Sequence, residues 1–135
     1  MEENKGEEIV RVPMTSREDY LKAIYVLHRD LGEVHSVDVA NYLGISKPSV
    51  CQAVATLTSE NYLEVDGKHV LILTRKGKKL AEDVYEKNRF FLNHLLSIGV
   101  NRETAEEDAC KMEHAISEES FLKLKEALGD PSEEK

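Results

Sequence analysis

The chain has 135 residues, 41% hydrophobic and 33% charged, with a formal net charge of −8. That length allows one compact unit or two small ones, and the absence of any run of about 18 apolar residues excludes an ordinary membrane-spanning helix. The first ten residues lack the basic start and apolar core of a signal peptide, and Cys51 and Cys110 are too few for a disulfide framework, so a reduced, cytoplasmic protein is expected.

The charge is unevenly spread. Residues 1–10 hold one Lys and four Glu, and residues 11–80 hold ten Lys/Arg against eight Asp/Glu. Residues 81–135 hold seven Lys/Arg against fourteen Asp/Glu. Only the middle segment is mildly basic. Overall acidity argues against tight non-specific DNA binding, and the acidic C-terminal half suits a cation.

Residues 1–13 show no apolar periodicity and read as a mobile tail. Ser16 is placed to cap a helix from Arg17, in which Tyr20, Leu21, Ile24, Tyr25 and Leu27 share one side; Gly32 ends it. Ser36 is placed to cap a short helix from Val37 to Leu43, with Val39, Ala40 and Leu43 inward. After the turn Gly44-Ile45-Ser46, Ser46 caps a third helix with Pro48 in its first turn, where the missing N–H costs little. Val50, Val54 and Leu57 make its apolar stripe. The period then changes to alternation at Tyr62–Val65, followed by the turn pair Asp66-Gly67 and the β-prone run Val70–Thr74, which predicts a hairpin. Thr74 opens a long helix to about Ser97, carrying Leu80, Val84, Phe91 and Leu95, and Gly99 stops it. Two further helices are expected, at about 102–116 and 117–128, before a short tail at 129–135.

Helix, Gly-containing turn, helix and hairpin, in that order, predict a winged helix-turn-helix, whose second helix enters the major groove. Ser36 opens the first of the two helices. Ser46, Lys47, Pro48 and Ser49 open the second, with Gln52 and Thr56 on its outer face. Hydroxyls and N–H groups at a helix start suit phosphate oxygens, and Gln52 has the donor–acceptor pair that adenine presents in the major groove. Lys68, at the hairpin tip, suits a flanking phosphate. These residues could also be ordinary caps and solvated charges; the order of cap, turn, polar face and wing favours DNA reading. Cys51, beside Gln52, reads as small filler or as an oxidisable thiol.

Cys110, Glu113 and His114 stand at i, i+3 and i+4 and so share one helical face. Thiolate, carboxylate and imidazole together suit a divalent first-row metal, although no structural zinc pattern such as C-x-x-C is present. The set is open, and Asp19 is a candidate fourth ligand. The plain alternative is a buried Cys beside a solvated Glu-His pair. His28, His35, His69 and His94 are isolated and read as surface or capping residues. No nucleophile–base pair and no Gly-rich phosphate loop argue for catalysis, so the chain is not expected to be an enzyme.

Several segments carry a resemblance: Arg17-Glu18-Asp19-Tyr20-Leu21, Val37-Asp38-Val39-Ala40, Ser46-Lys47-Pro48-Ser49-Val50, Leu73-Thr74-Arg75-Lys76-Gly77, and the run from Asp108 to Ser117. Over about residues 14–128 they resemble the diphtheria toxin repressor family of iron- and manganese-dependent repressors. The resemblance implies a mainly α protein: a winged helix-turn-helix DNA-binding domain at 14–74, then a helical dimerisation and metal-binding domain at 75–128. It also implies a homodimer on a double-stranded DNA operator, and a chain too short for the third domain of longer members. Excess apolar residues in the C-terminal half agree with a dimer face. Cys110, Glu113 and His114 stand where the family's primary ligands stand, and Asp19 where manganese-dependent members carry Asp. Cys110 is the iron-type choice. Lys22 replaces a manganese-site Glu, Asn88 replaces a ligand His, and Leu92 and Glu106 fall at ancillary-site positions, where Leu92 cannot ligate. Asn88, Glu106, Glu107 or water are therefore further candidates to complete the primary site. Fe(II) or Mn(II) is the expected metal. The alternative is a winged helix regulator that responds to a small organic ligand or a protein partner.

Overall fold

The structure, a computed structural model, describes residues 14–129. The expected tail at 1–13, and residues 130–135 of the C-terminal tail, lie outside the described residues. In chain order the elements are α1 (Met14–Leu31), α2 (Ser36–Leu43), α3 (Lys47–Ser59), β1 (Leu63–Val65), β2 (Leu71–Leu73), α4 (Arg75–Ser97), α5 (Arg102–Ala115) and α6 (Glu118–Leu128). The chain divides into two compact units between Glu82 and Asp83, inside α4.

The first unit is a winged helix-turn-helix. Helix α1 begins at Met14, so Ser16 lies within its first turn rather than at its cap, and Asp19 falls in the second turn. Tyr20, Leu21, Ile24 and Leu27 are buried as the 3–4 spacing requires; Tyr25 is only half-buried. Helix α2 starts at Ser36 and takes His35, not Ser36, as its N-cap residue. The reason is Asp38, whose Oδ2 accepts the His35 N–H at 2.8 Å and so satisfies the helix entry from inside. Gly44 ends α2 at φ 71° and ψ 35°, with its N–H on the Ala40 carbonyl at 2.8 Å. That left-handed geometry costs glycine nothing, and it lets the chain turn at once into α3.

Ser46 caps α3 as the sequence predicts: its Oγ accepts the Ser49 N–H at 3.3 Å, and Pro48 stands in the first turn. The inward stripe of α3 is Ser49, Val50, Ala53 and Leu57, with Val54 half-buried. The hairpin pairs Leu63 with Leu73, Glu64 with Ile72 and Val65 with Leu71 in antiparallel register. Leu63 and Leu71 are buried and Ile72, on the opposite face, is exposed, as a one-sided sheet needs; Val65 shares the face of Leu63 and Leu71 but is exposed at the end of its strand. A further bond, Leu71 N–H to the Val34 carbonyl at 2.7 Å, ties the wing to the loop before α2.

Leu21, Ile24, Val34, Val39, Val50 and Leu57 centre this core at 2% exposure or less. Each such side chain stabilises the fold by about 1.5–3 kcal/mol. Ala81 belongs to the same core and Leu80 packs on it, so the start of α4 is part of the first unit.

The second unit is helical. Asn101 caps α5 through the N–H groups of Glu103 and Thr104, and Ser117 caps α6 through Ser120. Its core is aromatic. Phe90 packs edge-on against both Phe91 and Phe121, with ring centres 5.3 Å apart in each case. Such pairs add about 0.5–1.5 kcal/mol beyond area burial. Lys125 lies over the Phe121 ring and is also ion-paired with Glu86. Ile98, Met112, Leu122 and Leu128 are exposed apolar residues of this unit.

Candidate DNA-reading and metal-binding sites

Helix α3 offers its start to a ligand. Ser46, Lys47 and Pro48 are exposed, as are Cys51 and Gln52. Cys51 is therefore an accessible thiol and not filler. Ser49 differs from the expectation of an outward residue: it is 9% exposed and its Oγ accepts a hydrogen bond from Ser46 at 2.8 Å. The register explains this, because Ser49 shares the stripe of Ala53 and Leu57. Thr56 is half-buried and its hydroxyl donates to the Gln52 carbonyl at 3.2 Å, a local bond open to hydroxyls inside helices. Ser36 is half-buried at the first position of α2.

The wing tip is shaped by one carboxylate. Asp66 Oδ1 accepts the N–H groups of Lys68 at 2.8 Å and Val70 at 2.9 Å, a turn favoured by Asp. The Val70 N–H, and then the Lys68 N–H and charge, hold the Asp66 carboxyl below its ordinary range. This leaves Lys68 exposed at the tip. His69 follows with a positive φ of 66°.

On α5, Cys110, Glu113 and His114 come together as their spacing predicts. Each offers a ligand atom, and these atoms lie within 4.8 Å of one another. The Glu113 side chain is fully inaccessible and that of His114 is 8% exposed. Glu113 Oε2 lies 3.2 Å from His114 Nε2. A buried carboxylate is costly without a cation or donors to offset its charge. One thiolate, one carboxylate and one imidazole make a donor set that a divalent transition metal accepts, so the residues fit such an ion. Among the further candidates, Glu106 is exposed and ion-paired with Arg102 at 3.0 Å, Glu107 is exposed, and Asn88 is half-buried on α4. Neither Glu106 nor Glu107 joins the clustered donor atoms. Leu92 is 2% exposed inside the aromatic core. Asp19 is half-buried on α1. Burial, and then the Asp19 charge, raise the neighbouring Tyr20 hydroxyl above its usual range.

The remaining histidines are structural or exposed. His94 Nε2 is 2.6 Å from the Gly129 carbonyl oxygen, and its ring lies tilted against that of Phe90, the ring centres 4.5 Å apart. His35 enters α2, while His28 and His69 are exposed. The sequence did not foresee a cleft of about 440 Å³ in the first unit, lined by Ile24, His28, Arg29, Leu73, Lys78 and Glu82 among others. It forms where α1, β2 and the start of α4 converge, so no single segment signals it.

Comparison with known proteins places the chain in a family. Residues 14–71 match the iron-dependent repressor N-terminal DNA-binding domain, and residues 74–135 match the iron-dependent repressor metal-binding and dimerisation domain. The chain belongs to the iron-dependent repressor family. It is 38% identical over 104 residues to the transcriptional regulator MntR of Escherichia coli, covering 77% of this chain and 67% of that protein. The solved manganese regulator SloR is 31% identical with a TM-score of 0.75 over 85% of this chain. The IdeR of T. acidophilum is 29% identical with a TM-score of 0.70 over 83% of this chain. The chain spans about half the length of these two solved proteins, 54% and 53%. Among the described residues, no helix is long and apolar enough to cross a membrane.

Proposed function

We propose that this chain is a non-catalytic, divalent-metal-dependent transcriptional repressor that acts in the cytoplasm as a homodimer on double-stranded operator DNA. Residues 14–74 read DNA, and residues 75–128 dimerise and bind metal. The observation that carries the reading is the buried Glu113 carboxylate clustered with the Cys110 and His114 donors, in a chain that also holds a winged helix-turn-helix.

Cys110, Glu113 and His114 are the proposed ligands from α5, and Asp19 of α1 completes the set. Asn88, Glu106, Glu107 or water fill any further position. When bound, a divalent cation, Fe(II) or Mn(II), supplies positive charge and fixed ligand directions. Residues on α1 and α5 then lose freedom before DNA arrives, so less ordering entropy remains to be spent on the operator. Two recognition helices of a dimer must stand about 34 Å apart to meet successive major grooves. Ser46, Lys47 and Lys68 position the backbone in this scheme, and Gln52 reads a base edge; Ser36, Pro48, Ser49 and Thr56 complete the proposed interface.

Operator titrations with and without Mn(II) or Fe(II), under reducing conditions, test this reading. A metal-dependent gain in affinity is expected, and equal affinity in both states overturns it. The cleft on the first unit favours a second reading, a regulator of small organic ligands. Such a regulator keeps its switching when Cys110 and His114 are both replaced, whereas the proposed repressor loses it.

A further inference from the structure

The C-terminal end of the recognition helix α3 is held by charged and polar contacts from two other helices. Arg17, on the front of α1, reaches Glu60, the residue that closes α3. Its Nε lies 2.9 Å from Glu60 Oε1 and its Nη2 lies 3.2 Å from Oε2. This two-point contact joins residues 43 apart in sequence. The Arg17 side chain is 17% exposed and that of Glu60 is 36% exposed, so the pair is partly shielded from water. A forked guanidinium–carboxylate contact fixes orientation as well as distance. From α4, Lys76 Nζ donates to the Glu60 carbonyl at 3.0 Å and stands 4.3 Å over the Tyr62 ring. Thr74 Oγ1 donates to the Asn61 carbonyl at 2.7 Å.

The exposed reading residues Lys47, Pro48 and Gln52 are at the other end of α3 or near it. A helix of 13 residues is about 20 Å long. A tilt of about 10° at the Glu60 end therefore moves the Lys47 end by about 3 Å, as far as a whole hydrogen bond. The Glu60 corner is thus a second anchor of α3, beside the buried Val50, Ala53 and Leu57, and lies at the end away from Lys47.

We propose that the Arg17–Glu60 ion pair is the link through which the front turns of α1, which carry Asp19, set the position of the recognition helix. The inference rests on the metal-dependent repressor reading, with Asp19 as a ligand. Arg17 and Glu60 are positioning residues; neither is assigned to metal or DNA.

The test uses the full chain and a labelled duplex selected from a randomised pool by the Mn(II)-loaded wild-type protein. Duplex affinity is measured with and without Mn(II) for wild type, Arg17→Leu, the isosteric Glu60→Gln, and the exchange Arg17→Glu with Glu60→Arg. Unfolding midpoints are recorded for each, and Glu60→Gln carries the test if Arg17→Leu does not fold. The expected result is that each single variant shrinks the Mn(II)-induced gain by roughly tenfold, within the range of coupling changes seen for mutations distant from ligand, and that the exchange restores most of it. A gain unchanged in the single variants, or a parallel fall in both metal states with the gain preserved, overturns the link. Absence of any gain in wild type strikes the repressor reading itself.

Discussion

A Cβ atom placed on Gly77 would lie 2.1 Å from the carbonyl oxygen of Tyr62. The same corner holds the Thr74 N–H on that carbonyl at 3.1 Å and the Gly77 N–H on Thr74 Oγ1 at 3.0 Å. Glycine inside a helix ordinarily costs about 1 kcal/mol against alanine, so Gly77→Ala would stabilise an isolated α4. Here the backbone contact dominates, and relieving it must open the joint between the wing and α4. Gly77→Ala is expected to destabilise the protein by about 2 kcal/mol or more, in line with overpacked cores, in urea unfolding. Gly67→Ala, with nothing within 4 Å of its Cβ, should stay near wild type. A Gly77→Ala midpoint at or above wild type would remove the contact from the account.

The exposed start of α3 separates positioning from reading. Gln52→Ala should cost about 1–3 kcal/mol of preferred-duplex affinity and relax base preference at one position. Lys47→Ala should weaken binding across all sequences and lower the salt slope by about 1. Ser46→Ala removes the cap and should cost about 1 kcal/mol of stability in addition. If Gln52→Ala and Lys47→Ala show the same sequence profile, the division of roles is mistaken.

Much of the fold and of the donor cluster on α5 was legible because each rests on short spacings. The i, i+3, i+4 placement of Cys110, Glu113 and His114 needs only a helix to bring the donors together. The cap at Ser46 and the turn at Gly44 are likewise local. The errors lay where a neighbour in space or an early helix start decides. Ser36 gave up its cap role because Asp38 reaches back to the His35 N–H. Ser16 falls inside α1, which begins at Met14. Ser49 turned inward because its register follows Ala53 and Leu57, a matter of which face of α3 meets the core. The Arg17–Glu60 pair, the Gly77 contact and the cleft each join segments distant in sequence, which periodicity cannot pair. A glycine three residues into a predicted helix was the one available signal for the Gly77 approach.

The wing tip should respond to acid through Asp66. Its carboxyl is held below the ordinary range by the Val70 N–H first, so the folded form favours the carboxylate. A depressed folded pKa contributes stability that is present above the unfolded value of about 3.9 and is lost as pH falls through the folded value. Protection of the Lys68 and Val70 amides against exchange, taken relative to their intrinsic rates, should therefore fall on acidification below about pH 4. In Asp66→Asn this pH dependence should vanish while the acceptor oxygen remains, and in Asp66→Ala protection should be low at every pH. An acid response that persists in Asp66→Asn would assign it to another group.

The cysteine gives the metal proposal its sharpest chemical handle. A soft thiolate favours Co(II), Zn(II) or Fe(II) over Mn(II), whereas Glu113 serves them all. Co(II) bound through Cys110 should show sulfur-to-cobalt charge-transfer absorption, and Cys110→Ser should abolish it. The same substitution should weaken Co(II) more than Mn(II). Metal at 100 times its dissociation constant should stabilise the folded chain by about 2.7 kcal/mol, and a chelator should reverse the gain. Glu113→Gln keeps the buried volume but loses the negative charge, so it should weaken both metals together. Charge-transfer absorption that survives Cys110→Ser and is lost only when Cys51 is also replaced would move the thiolate ligand to Cys51 and dismantle the donor set.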